Sequence, residues 1–138
     1  MRILLDTNII IDVALQREPY FEQSDRILSA CEERALNGYV SASTISDIFY
    51  IVRKARGKAW TIEFLSKLLN FCAVAVVDSE IIHQALKSDF QDFEDAIQYQ
   101  AALRAGVDGI VTRNPDDFRV VTLSIFTPTA LLRLLNLD

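Results

Sequence analysis

The sequence predicts an α/β domain in which a mostly parallel sheet is covered by helices on both faces. Three observations lead there. Short apolar runs, such as Ile3–Leu5 and Ala73–Val77, have the length of strands buried on both sides. Longer segments between them carry apolar residues at helical spacing. The two kinds alternate along the chain, as a parallel sheet with crossover helices requires. The 138 residues suffice for one domain spanning 1–138 with a proper core, and four Gly and three Pro leave long elements and short loops.

Residues 2–5 read as a buried strand ending at Asp6. A short helix follows over 9–15. A longer one covers 20–36, with Ile27, Leu28, Cys31 and Ala35 among its apolar positions and Asn37-Gly38 as its stop. Residues 39–42 are the second strand. Residues 44–56 place Ile45, Ile48, Phe49 and Val52 on one helical face, and Gly57 ends that helix. Residues 59–72 repeat the pattern with Trp60, Phe64, Leu65, Leu68 and Leu69. The third strand runs over 73–77, and Ser79 opens a short helix. Residues 92–105 form a helix stopped by Gly106. Residues 109–112 are the fourth strand and 119–123 the fifth. Thr127-Pro128 is a helix cap followed by proline, so 128–136 is a terminal helix.

Composition narrows the class. Half of the chain is hydrophobic and its net charge is -5, which excludes disorder. No apolar run approaches the roughly 20 residues of a membrane span. Asp6 and Asp12 interrupt the apolar runs that a signal peptide would need. Cys31 and Cys72 are far apart in sequence and read as buried free thiols of a reducing, cytoplasmic compartment, neither a staple nor a metal pair. The acidic balance argues against indiscriminate nucleic-acid binding, yet it allows an enzyme that gathers carboxylates around a cation.

In open parallel sheets the site lies outside the carboxyl ends of the strands. Asp6 follows strand one. Asp47 and Asp95 fall in the first turns of helices that begin at the same rim, and Asp116 and Asp117 follow strand four. Capping explains several of these singly. Thr44 to Asp47 and Asp92 to Asp95 have capping-box spacing, Asn114 to Asp117 reads as a cap and first turn, and acids there are favoured by about 0.3–1 kcal/mol. Asp6 has no such explanation: it ends a buried strand, and a buried carboxylate needs a partner or a cation. Converging carboxylates repel unless a cation sits among them, and hard Mg²⁺ or Mn²⁺ suits an all-oxygen set. Such ions serve phosphoryl chemistry.

Four segments then stand out together: Leu4-Leu5-Asp6-Thr7-Asn8, Ser43-Thr44-Ile45-Ser46-Asp47, Glu94-Asp95-Ala96-Ile97-Gln98, and Ile110-Val111-Thr112-Arg113-Asn114-Pro115-Asp116-Asp117-Phe118. In this order and at these separations the chain resembles the PIN domain family, including VapC-type toxins of bacterial toxin–antitoxin pairs. The resemblance covers essentially the whole chain. It implies a Rossmann-like α/β/α sandwich with a five-stranded parallel sheet and a Mg²⁺- or Mn²⁺-dependent ribonuclease. The catalytic acids it implies are Asp6, Asp47, Asp95 and Asp117, with Asp6, Asp95 and Asp117 as metal ligands. Asp47 stands where the family usually has the longer Glu, and Asn114 where it often has Asp. Thr7, Asn8, Thr112 and Asn114 would orient ligands or water. An antitoxin protein is the partner the resemblance suggests, and RNA the substrate.

Arg113 and Arg119 lie near the last carboxylate and are candidates to position a phosphate. The basic cluster Arg53, Lys54, Arg56 and Lys58 reads first as a solvated helix end. His83, the one histidine, supports neither a zinc site nor a Ser/His/Asp relay. A dehalogenase-type phosphatase would need Asp-x-Asp, and here the second acid is Asn8. A non-catalytic fold of the same type, binding RNA or protein, is the other alternative. Apolar excess in Phe49–Val52 and Leu131–Leu135 suggests a homodimer.

Overall fold

The structure, a computed structural model, describes residues 1–118 and 122–137. Five strands form one sheet: β1 (Arg2–Leu5), β2 (Asn37–Ser41), β3 (Cys72–Ala75), β4 (Gly109–Val111) and β5 (Ser124–Phe126). Their order is β3-β2-β1-β4-β5, and every neighbouring pair is parallel. The helices are α1 (Thr7–Ala14), α2 (Phe21–Glu32), α3 (Ala42–Arg56), α4 (Lys58–Phe71), α5 (Ser79–Lys87), α6 (Phe93–Ala105) and α7 (Pro128–Leu134). A 3-10 turn spans Pro115–Phe118.

Strand β1 shows why the sheet is central. Ile3, Leu4 and Leu5 are all fully buried, and their alternation sends them to opposite faces. Ile3 and Leu5 join Ile9, Ile10, Ile27, Ile48, Val52, Leu68 and Leu131 in a core built with α1, α2, α3, α4 and α7. Leu4 joins Tyr99, Ala101, Ala102, Ile110 and Phe118 on the other side, under α6. A small cluster of Ile81, Ala85, Ala96 and Ile97 fastens α5 to α6. Among the described residues no helix is long and apolar enough to cross a membrane.

The strand order reverses between β1 and β4. The crevice outside their carboxyl ends is the topological switch point, where ligands bind in such sheets. Asp6 leaves β1 into that crevice, and Thr112 leaves β4 into it.

Several expectations are corrected. Helix α2 ends at Glu32, not at residue 36. Arg34 takes a positive φ of 65°, and the amides of Ala35 and Leu36 turn back to the Ala30 carbonyl, so the apolar Leu36 is buried by a turn. Asn37-Gly38 therefore opens β2 rather than closing a helix. Helix α3 begins at Ala42, so Asp47 lies in its second turn. Thr44 is no cap; its hydroxyl donates to the Ser41 carbonyl at 2.9 Å. The fifth strand is Ser124–Phe126, later than 119–123, because its register pairs Gly109 with Ser124. Arg119 lies outside the described residues. The cysteines are buried free thiols as expected, but the fold brings them together over Gly38.

Of the two apolar runs, Val52, Leu131 and Leu132 are buried while Tyr50, Ile51 and Leu134 are exposed. The basic helix end is exposed, and two of its guanidiniums lie over aromatic rings: Arg56 at 4.0 Å from the Trp60 centroid and Arg53 at 5.9 Å from Phe49.

Candidate functional site

Asp6 is the residue before α1 and its backbone is extended, φ -62° and ψ 148°. Its side chain makes no cap hydrogen bond. It is instead clamped from two other segments. Gln98 Nε2 donates to Oδ1 at 3.0 Å, from α6, and Thr112 Oγ1 donates to Oδ2 at 2.8 Å, from the end of β4. Thr112 in turn accepts from the Asn114 amide at 3.1 Å. A carboxylate 6% exposed is thus held by two neutral donors, and the hydrogen bonds leave its charge in place.

Around it opens a cleft of ≈ 420 Å³ whose lining includes Asp6, Asp47, Asp92, Glu94, Asp95 and Asp117. Asp47 comes from α3. Asp92 caps α6, its Oδ1 accepting from the Asp95 amide at 3.1 Å. This makes Asp95 the third residue of α6, so Asp92 is the helix cap expected from the spacing while the same segment delivers acids to the cleft. Asp117 comes from the 3-10 turn, where its amide donates to the Asn114 carbonyl. Thr7, Asn8 and Gln98 share the lining; Asp116 lines an adjoining cleft with Asp89, Phe90, Asp92, Asp95 and Asp117.

The crowding shows in protonation. Asp95 is pushed up to about 7, first by burial and then by Asp92, Asp6, Asp117 and Glu94. Glu94 is likewise raised to about 7, chiefly because its carboxyl hydrogen-bonds to Asp47, with burial and neighbouring carboxylates adding to the shift. Two acids meeting without a cation raise the cost of ionising, and Glu94 is the one that carries the shift.

The donor set is all oxygen and strongly negative, which fits a hard divalent ion. Two oxygens also lack partners: Thr7 Oγ1 and Gln98 Oε1 are buried and unpaired. Among the described residues no three acid, His or Cys groups form a close ligand cluster. The donor set therefore suits a hydrated ion, for which Asp6, Asp95 and Asp117 would be the candidate ligands.

Asp92, Glu94 and Gln98 also line this cleft, although the sequence pattern marks Asp92 only as a cap and gives Glu94 and Gln98 no site role. Gln98 follows Glu94 by four positions and Asp95 by three, so helical spacing puts it on their face; that signal was available. Arg113 is placed otherwise than expected. Its Nε stands 2.8 Å from Oδ2 of the fully buried Asp12, and its guanidinium stacks 3.9 Å from the Tyr20 ring centroid. His83 is exposed on α5.

A family model described as PIN domain matches residues 2–116. The chain belongs to the PIN domain family. Solved PIN-fold structures agree with its architecture at low identity. A toxin–antitoxin complex from Klebsiella pneumoniae superposes with a TM-score of 0.67 at 21% identity, covering 91% of this chain and 96% of the other. VapBC-1 from nontypeable Haemophilus influenzae gives 0.66 at 19%, covering 94% and 99%. VapC20 of Mycobacterium tuberculosis, described as a toxin cleaving the sarcin–ricin loop, gives 0.63 at 13%, covering 78% and 86%. A comparison with curated proteins finds no match. The five-stranded parallel sheet expected from the resemblance is the sheet observed.

Proposed function

We propose that this PIN domain is a Mg²⁺- or Mn²⁺-dependent endoribonuclease, the toxin of a toxin–antitoxin pair. The observation that supports it most is Asp6. A nearly buried carboxylate at the switch point is positioned by Gln98 and Thr112, and four chain segments contribute Asp6, Asp47, Glu94, Asp95 and Asp117 to one cleft. Anions so placed repel RNA unless a cation intervenes, so the cleft has a chemical use only with one bound.

When bound, a divalent ion supplies positive charge for the phosphate and acidifies water. The chain's own residues do the rest. Asp6, fixed by Gln98 and Thr112, would present its carboxylate to the cleft that it lines. Asp95 reaches the same space from the start of α6. Glu94, with a carboxyl raised to about 7, exchanges its proton near neutral pH. It is suited to take a proton from attacking water or return one to the leaving oxygen. In-line attack would leave 5′-phosphate and 3′-hydroxyl ends. Asp47, short for its role in the family, compensates by contact with Glu94, which carries a carboxylate to the same place from the opposite helix.

On this reading the protein is a cytoplasmic single domain. Exposed Tyr50 and Ile51 border the acidic cleft and, with Leu134, offer apolar surface for an antitoxin or for a second copy in a homodimer. The deciding experiment is cleavage of a structured RNA with Mn²⁺, with chelator, and by Asp6→Asn. Cleavage that persists in chelator, or that survives Asp6→Asn unchanged, removes the metal-nuclease reading.

A further inference from the structure

The opposite edge of the sheet holds a pair of groups that the nuclease reading does not use. Cys31 ends the apolar face of α2, and Cys72 is the first residue of β3, paired in register with Gly38 of β2. A Cβ at Gly38 would lie 2.8 Å from both sulfurs. The two Sγ atoms therefore meet over the one position in β2 that has no side chain, at most twice that distance apart. Their proximity, with burial, pushes the Cys31 thiol up and favours the Cys72 thiolate. The guanidinium of Arg34, fixed by the Phe71 and Asn70 carbonyls at 3.3 and 3.4 Å, favours that thiolate further.

Both thiols are buried, Cys31 fully and Cys72 to 5% exposure, and of the two it is Cys72 that lines a cleft, with Arg2, Arg34, Asn37, Tyr39 and Asn70. We propose that Cys31 and Cys72 form a dithiol site that small carboxylate-bearing disulfides of the glutathione type oxidise to an internal disulfide. The Cys72 thiolate attacks one sulfur of the small disulfide. An S–S bond to Cys72 forms, the small S–S bond breaks, and one small thiolate leaves. Cys31 then gives up its proton and attacks the Cys72 sulfur, expelling the second small thiolate. Two electrons pass to the small disulfide and the protons of both cysteines end on the two released thiols. Arg34 and Arg2 give the cleft the charge that such a carboxylate-bearing reagent needs. The bridge would tie the end of α2 to an edge strand and stabilise the fold, far from the acidic cleft.

The test uses the folded full chain equilibrated with excess glutathione disulfide, read by intact mass, thiol count and thermal melting. The wild type is expected to lose two hydrogens, retain no adduct and gain about 5–10 °C in Tm. Cys31→Ala should stop at one glutathione adduct on Cys72, and Cys72→Ala should stay unmodified while folded. Wild-type protein that keeps both thiols, that bridges only in denaturant, or that retains an adduct with Cys31 unreacted overturns the proposal. None of these readouts depends on RNA cleavage, so the site stands or falls apart from the nuclease reading.

Discussion

Two buried aspartates, one just before α1 and one within it, are held in opposite ways. Asp6, just before the helix, accepts from a glutamine and a threonine. Asp12, one and a half turns on and 0% exposed, stands against the Arg113 guanidinium and receives the Ser24 hydroxyl at 3.5 Å. Burial pushes Asp12 up and Arg113 opposes it. The cation at Asp12 neutralises its charge, and that carboxylate joins the helix pair α1–α2 to the loop after β4. The neutral donors at Asp6 fix its orientation and leave its charge for something outside. A buried acid with a resident guanidinium holds the fold, and one with only amide and hydroxyl donors is available for chemistry.

The largest break in this contrast is Arg113→Ala. It strands Asp12 in the core without its cation, and about 3–5 kcal/mol of stability should go. Urea denaturation measures it. Adding Asp12→Asn should return part of the loss, since a neutral side chain needs no counter-charge. A loss below 1 kcal/mol for Arg113→Ala would make Asp12 no different from a surface acid.

On the other side, Asp6→Asn should cut RNA cleavage by at least about 100-fold if Asp6 takes part in metal-assisted chemistry. It should also raise the metal-free Tm slightly, by removing one of the charges that push up Asp95. Mn²⁺ should stabilise the wild type by mass action and the variant less. Equal stabilisation of both would detach Asp6 from the metal.

Gln98→Leu tests the clamp alone. It removes one donor from a nearly buried carboxylate, with an expected loss of about 1–3 kcal/mol. Because Asp6 would swing free on that side, cleavage should fall while RNA affinity changes little. Calorimetry with RNA alongside rate measurement separates the two, and a variant impaired only in affinity would argue against positioning.

The smallest effect is in pH. Glu94 and Asp95 ordinarily titrate near 4.5 and 3.8 and are raised to about 7 in the folded protein. Acids raised on folding bind protons more tightly in the native state. Their contribution to stability is fullest below about pH 4 and is lost as pH rises towards about 7. Asp95→Asn has no such loss, so its Tm advantage over the wild type should grow by a few degrees across that interval. Saturating Mn²⁺ should shrink the difference. A constant gap from pH 4 to 8 would mean that Asp95 feels no crowding.

Local patterns carried a good deal of this. Alternation in β1, helical spacing in α3 and α6, and the proline after Thr127 mark elements because each signal lies within one element. The rim acids Asp6, Asp47, Asp95 and Asp117 were legible for a related reason: in a parallel sheet every strand ends and every following helix begins at one edge, so chain order alone brings them there. The boundaries were less legible at α2, where the left-handed Arg34 stops the helix ahead of the expected Asn37-Gly38.

By itself, then, the sequence determined the α/β alternation, the acidic rim and the family. Only the tertiary structure decided which partner each buried polar group received. Gln98 meets Asp6 from 92 positions away, Arg113 belongs to Asp12 rather than to the cleft, and Cys31 finds Cys72 across Gly38. The physical reason is range. Periodicity and capping act within a few residues, whereas hydrogen bonds, ion pairs and sulfur contacts reach only about 3–4 Å and depend on how whole elements pack.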